Sequence, residues 1–392
     1  MLLPAREAAD RLGVKVDTLY AYVSRGLLRS MEVAGSRERH YDADEVEHFR
    51  AGRGTTRARP QVEDLIPVIG SAICLIENHR LYYRGADAVV LAGSATLEDV
   101  AALLWEDGTP STPISPHPNP LPARGDREPH VAREGEGELG AIGLCQVRLA
   151  ELAAADHAAL DLSRAGVARS GRAIVAELAT CVGGGRSAQP IHLQLAAAWK
   201  LDPAGADLVR RCLVLLADHE LNASTFVARC IASTGATPYA VVSGALAALS
   251  GRRHGGASAR AEALFREIGD DAEPMTVMAA RLERGDDLPG LGQPLYPEGD
   301  PRALAIVDAL VKARPEAGKR VAAAAVAAVQ LTGLYPNVDF ALGGAATVLG
   351  LPQGAALGLF LVARSVGWIA HAIEQYESGV LIRPRARYTG RR

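Results

Sequence analysis

Along the opening stretch LPAREAADRLGVKVDTLYAYVSRGLL, the apolar residues Ala8, Leu12, Val16, Leu19 and Val23 fall at roughly helical spacing. Gly13 interrupts the pattern as the turn between two helices does, and Asp17–Thr18 offers a cap for the second. After Gly26 the pattern changes. LLRSMEVAGSRERHYDADEVEHFRAG predicts a short hairpin around Gly35–Ser36, then a capped helix beginning near Asp42. Farther along, apolar runs rich in alanine and glycine predict closely packed helices. The longest, Phe340 to Ala363, carries no charge and could cross a membrane by length. Its LGLPQG break predicts instead two buried helices joined by a turn, and no membrane partner is expected.

Two stretches have no apolar period. RAGRGTTRARP, Arg50 to Pro60, reads as a linker able to add phosphate contacts. Residues 106–140 are dominated by proline, glycine and charge and predict an exposed, disordered insertion that buries no face. CVGGGRS, residues 181–187, lacks the spacing of a phosphate loop and reads as a connection between helices.

At 392 residues the chain exceeds one ordinary core and predicts two or three domains. Aromatic residues are only 5%, which favours helices over a β-sandwich. Lysine and arginine number 42 against 45 aspartates and glutamates, a net charge of −3, so any pull toward nucleic acid must be local. Cys74, Cys145, Cys181, Cys212 and Cys230 are widely spaced, with no CxxC pair. This argues against a zinc knuckle or a disulfide framework and suits a reducing cytoplasm. MLLPAREAADRLG carries charge within its first ten positions and does not read as a signal peptide.

The first fifty or so residues resemble the MerR-like or excisionase-like helix-turn-helix domains. The resemblance implies a small winged helix-turn-helix domain over residues 1–51, followed by a linker over 52–61. Residues 15–25 would enter the major groove, and Arg37 and Arg39 would form a wing on the backbone or minor groove. Lys15, Arg25, Arg37 and Arg39 are the candidate DNA contacts. The competing reading is an interaction module that no longer binds DNA.

Four later stretches carry residues that a plain helical core does not need. LADHELNAS places His219 between Asp218 and Glu220. Neighbours on a helix point about 100° apart, so these three do not suit one metal ion. SGRRHGGAS puts His254 before two glycines that admit a close approach. PGLGQPLYPEGDPRA brings Arg302 to the start of a helix. In LYPNVDFALGG, Asp339 lies between Val338 and Phe340, where low polarity raises a carboxyl pKa and makes a better base. Arg364 and Arg383 add cations to an apolar C-terminal segment. Taken singly, each has a structural explanation: a hydrogen-bonded histidine, a capping aspartate, a paired arginine.

Together and in this order, DHELNAS, HGGA, PGLG with the following DPRA, YPNVDF, ARSVGWIAH and RPRARYTG resemble the citrate synthase family. SAICLIENHRLYYRGADAVVLAGSATLEDVAALLW, Ser71 to Trp105, is similar to the family's opening. The resemblance spans about residues 62–390 outside the insertion. It implies an all-α fold with a large domain (62–253 and 351–392) and a small one (254–350). It also implies a homodimer, with active sites in the cleft between domains. The implied reaction condenses acetyl-CoA with oxaloacetate and hydrolyses citryl-CoA, without a metal or redox cofactor.

On this resemblance Asp339 is the base and His254 donates to the thioester oxygen. His219, Arg302, Arg364 and Arg383 bind oxaloacetate. The CoA cradle lies around Pro289, Gly290 and Gly292. One position departs from the pattern: Gln293 stands where the family has the histidine that polarises the ketone. Glutamine keeps an N–H donor but cannot carry charge or pass a proton. The implied outcomes are slowed chemistry, a shifted keto-acid preference, or a metabolite-sensing regulator on the same body.

Overall fold

The computed structural model describes residues 2–12, 14, 16, 19, 23, 30–32, 39–43, 46, 69–106, 140–386, 388 and 390. Lys15, Arg25, Arg37, the Gly35–Ser36 turn, residues 51–68 and all but the ends of the proposed 106–140 insertion lie outside the described residues. The chain divides into two compact units, within 1–69 and 70–392.

In the first unit, strand β1 (Leu2–Pro4) leads directly into helix α1 (Ala5–Leu12). Ala5, Ala8, Ala9 and Leu12 recur one turn apart and form the buried face of α1. They pack with Leu3, Leu19, Tyr41, Ala43 and Val46. Strands β2 (Met31–Glu32) and β3 (Arg39–Asp42) pair antiparallel, as the hairpin pattern predicts. The sequence reading had not anticipated β1, which adds to the other edge of β3 with Leu3 opposite Tyr41. Arg39 is exposed on β3.

The second unit opens with strands β4 (Cys74–Glu77), β5 (Arg80–Tyr83) and β6 (Ala86–Asp87) in antiparallel order. These strands, too, are absent from the helical expectation. Asn78 and His79, at φ 51° and 60°, turn the first hairpin in the conformation that matches strand twist. Helices follow: α2 (Ala88–Leu91), α3 (Leu97–Trp105), α4 (Ala141–Ala155), α5 (Arg164–Gly183), α6 (Ile191–Ala198), α7 (Pro203–Leu216), α8 (Ala223–Ala232) and α9 (Pro238–Leu249). Then come α10 (Gly256–Ile268), α11 (Pro274–Glu283), α12 (Pro301–Ala313), α13 (Pro315–Thr332), α14 (Val338–Val348) and α15 (Ala355–Ser378). Gly184, the residue after α5, is left-handed at φ 77° and ends that helix within the glycine-rich connection.

The apolar run from Phe340 to Ala363 divides between α14 and α15, with the break between Leu349 and Gly354. Helix α15 is long and apolar enough to cross a membrane, but 94% of its apolar window is buried inside the protein. It packs against α3, α5, α7, α8 and α9, while α10 to α14 pack chiefly on one another. Leu359, Val362, Val366, Trp368 and Ile369 line α15 and join the main core. A helix apolar on every side must be surrounded, and this one is the unit's axle.

Candidate active site

Four helix starts meet at one place. Asn222 caps α8 by accepting from the Thr225 N–H at 3.0 Å, and Asp300 caps α12 through the Arg302 N–H at 3.0 Å. Asn337 caps α14 through the Asp339 N–H at 3.0 Å. Each is a short polar side chain just before an apolar stretch, which is what a helix start requires. Side chains then tie the starts together. Ser224 of α8 meets His254 Nε2 at 2.8 Å, just before α10. Ser258 of α10 donates to Asp339 of α14 at 2.5 Å. Asp300 accepts from the Val338 N–H at 3.1 Å, joining α12 to α14. Converging helix N-termini favour bound anions.

The cations strengthen that field. Arg302 is 2% exposed and makes a forked pair with Asp300, Nε to Oδ1 at 2.9 Å and Nη2 to Oδ2 at 2.7 Å. Its guanidinium carbon also lies 5.8 Å from the Tyr296 ring centre. Arg364 is 1% exposed and differs. Its Nε donates to the Leu216 carbonyl at 2.8 Å, and its guanidinium lies 4.6 Å over the Phe360 ring. Both terminal nitrogens are buried with no hydrogen-bond partner. A buried charged fork without acceptors costs several kcal/mol unless a ligand completes it.

The titratable groups are tuned to this setting. Burial, then the Arg302 and Arg364 charges, hold His219 well below the ordinary imidazole value. His219 Nε2 meets the Tyr296 hydroxyl at 3.2 Å. Burial and the Arg364 charge push His254 down to about 4. Both imidazoles are therefore neutral near pH 7. Burial raises the Asp339 carboxyl; the Ser258 hydrogen bond and the Arg302 charge oppose it without reversing it.

Thus the structure brings His219, His254, Arg302, Arg364 and Asp339 into one electrostatic neighbourhood: His219 and Asp339 feel both guanidinium charges, and His254 feels that of Arg364. Arg383 does not join them within this chain. It is exposed on the extended segment after Gly379, next to the exposed Val380 and Leu381. Gln293 is half-buried on the loop between α11 and α12, and its side-chain oxygen Oε1 accepts from the Leu295 N–H at 3.4 Å. Among the described residues no cluster of three histidine, cysteine or acidic side chains could hold a metal.

Pro289, Gly290 and Gly292 lie on the same loop, where the glycines have a backbone reason of their own. Gly290 at φ 79° presses on α14, so that an added Cβ would sit 2.7 Å from the Phe340 nitrogen. Gly292 at φ 73° has only Leu334 nearby, at 3.8 Å. Gly290→Ala is expected to destabilise the protein by about 2 kcal/mol or more, from left-handed strain and overpacking. Gly292→Ala should cost less, and thermal unfolding of the two variants checks the order. Equal melting temperatures would refute the packing argument.

The sequence reading passed over Ser224, Ser258, Tyr296, Asp300 and Trp368. Each stands inside a stretch that had been singled out, but none is of a type that announces chemistry. Trp368 Nε1 donates to Ser224 Oγ at 3.2 Å, so α15 helps to hold the serine that meets His254.

Residues 64–385 match the family model described as citrate synthase, C-terminal domain, and residues 3–54 match that of the MerR HTH family regulatory proteins. The chain is 40% identical over 192 residues to a citrate synthase of Haloferax volcanii, covering 47% of this chain and 50% of that one. It is 37% identical over 185 residues to 2-methylcitrate synthase 1 of Corynebacterium glutamicum, covering 46% and 49%. The chain thus spans about half the length of the curated relatives it matches. The crystal structure of citrate synthase from Thermotoga maritima superposes with a TM-score of 0.67 at 27% identity, covering 83% of this chain and 94% of that one. The Thermoplasma acidophilum enzyme, solved with carboxymethyl coenzyme A and oxaloacetate, shares the fold at a TM-score of 0.65 and 24% identity, covering 84% and 96%.

Proposed function

The chain belongs to the citrate synthase family, and from that premise we propose that it condenses acetyl-CoA with oxaloacetate and releases citrate and CoA. The observation that carries this reading is the buried Arg364 fork, which lacks an acceptor and stands beside Arg302 and two neutral imidazoles. A keto diacid supplies the missing carboxylate oxygens. No metal or redox group takes part in this reading.

In the proposed reaction Asp339 takes a proton from the thioester methyl group. His254 donates a hydrogen bond to the thioester oxygen as it becomes an enolate. Ser224 Oγ, which also donates to Asn222 Oδ1 at 2.9 Å, holds the His254 ring in place through Nε2. The enolate carbon attacks the ketone of oxaloacetate, held by His219, Arg302, Arg364 and, across a homodimer, Arg383. Gln293 polarises the ketone through its N–H but cannot deliver a proton. The alkoxide so formed takes a proton from solvent, Asp339 gives up the one it took, and water hydrolyses the citryl thioester to citrate and CoA. Residues 62–253 and 351–392 serve as the large domain and 254–350 as the small one. Pro289, Gly290 and Gly292 border the CoA.

Thiol release from acetyl-CoA that requires oxaloacetate is the expected result. Its absence with both acetyl-CoA and propionyl-CoA, across a panel of keto acids, overturns the reading. Gln293→His is expected to raise turnover by about tenfold, because an imidazole can share charge and protons with the ketone oxygen. Wild-type turnover equal to the variant's would show that glutamine is no handicap.

The N-terminal MerR match favours a second reading, a metabolite-sensing DNA-binding regulator on the same body. Salt-sensitive DNA binding that oxaloacetate or CoA shifts, without thiol release, would select it.

A further inference from the structure

Along α15 from Arg364 lies a second set of polar groups to which the reaction assigns no part. Helix α15 presents Arg364, Gly367, His371 and Glu374 at helical spacing toward the 217–220 turn and α8. Gly367 has no side chain because Asp218 occupies its place. A Cβ there would sit 2.4 Å from Asp218 Oδ1 and 2.4 Å from the Ala217 carbonyl. The Gly367 N–H in turn donates to that carbonyl at 3.1 Å.

Asp218 is fully buried, and its carboxylate is approached by His371 Nε2 at 3.3 Å from one oxygen and 3.4 Å from the other. The Nδ1 of His371 accepts from Arg229 Nε at 2.9 Å, so the ring's proton lies on Nε2 and points at Asp218. Arg229 is anchored by Gln375 at 3.1 Å and by an ion pair with Glu374. The backbone is held as well: Tyr83 OH, between three carbonyls, donates toward the Asp218 oxygen at 3.3 Å. The negative charge of Asp218 acts on Arg364 without occupying its terminal nitrogens.

We propose that Asp218 is a positioning residue for the keto-diacid site: admitted to the α15 face by Gly367 and held by His371, which Arg229 braces in turn, it balances the charge of Arg364, whose Nε is tied to Leu216 in the same turn. The Arg364 fork stays aimed and vacant for substrate, and the adjacent His219 keeps its setting. A carboxylate placed in front would have filled the fork, as Asp300 fills that of Arg302. The inference rests on the proposed binding of a keto diacid at Arg364.

The test uses the full chain with Asp218→Asn, Gly367→Ala and the double variant. Asp218→Asn keeps the shape and removes the charge; Gly367→Ala keeps the charge and displaces it. Each is expected to raise the KM for oxaloacetate by about tenfold, since small misplacements of a binding group carry effects of that order or more. The KM for acetyl-CoA should stay within about twofold. The double variant should be no worse than the poorer single, because both act on one contact. Parallel rises in both KM values, unchanged oxaloacetate KM, or multiplicative effects would overturn the proposal. Calorimetric titration with oxaloacetate separates the two layers. If the wild type binds oxaloacetate without turnover, the condensation reading fails while the variants still test Asp218 through Kd. If it neither binds nor turns over, both readings fall.

Discussion

Asp339→Asn should lower kcat by about 10²–10⁴, the usual contribution of a positioned base. The amide keeps the size of the carboxylate and can still contact Ser258, so binding of oxaloacetate should change little. Thiol release under saturating substrates measures the loss. The acid limb of the wild-type pH profile follows from the same group. Only the carboxylate can take the methyl proton, and burial sets its pKa above the ordinary aspartate value. Activity should therefore fall as pH drops through that raised value, and the limb should vanish in Asp339→Asn. Undiminished turnover in the asparagine variant would remove Asp339 from the chemistry.

His254→Ala should cost about 10²–10³ in kcat, the range for one aimed donor to a developing oxyanion. Because burial and Arg364 hold this imidazole down to about 4, its protonation should not shape the rate near neutrality. A rate that rises on acidification between pH 7 and 6 would mean that the charged ring, and not the neutral one, is the working form. Ser224→Ala separates orientation from donation. It removes the partner of Nε2, and a partial loss of rate with little change in KM is what a contact that only holds the ring in place predicts.

Much of this site was legible in the order of its motifs. DHELNAS, HGGA and YPNVDF pointed to His219, His254 and Asp339, and all three feel the buried Arg364 charge. What the chain alone could not show is which arginine is spoken for. Arg302 and Arg364 read alike in sequence, yet one is clasped by Asp300 two residues away and the other ends in open nitrogens. That difference depends on rotamers and on α15 passing the Leu216 carbonyl, which is tertiary information. The small strands were missed for another reason. β1 has three residues and includes a proline, too short to show alternation. The β4–β5 hairpin joins two four-residue strands through Asn78 and His79, a left-handed turn without the glycine that would signal it. The caps Asn222, Asp300 and Asn337 were individually readable, but their convergence was not, since nothing in a one-dimensional pattern says that four helix starts share a point.

The loop that presses Gly290 onto α14 has a mechanical consequence. Gly292 N–H binds the Tyr335 carbonyl at 2.7 Å, Asn337 N–H binds the Gly290 carbonyl at 2.8 Å, and the Asn337 side chain reaches the Gly292 carbonyl at 3.1 Å. Gln293 and Asp339 are thereby riveted to a single plate. In the proposed reaction, a displacement of this loop therefore moves the group assigned to the ketone together with the group assigned to the methyl proton.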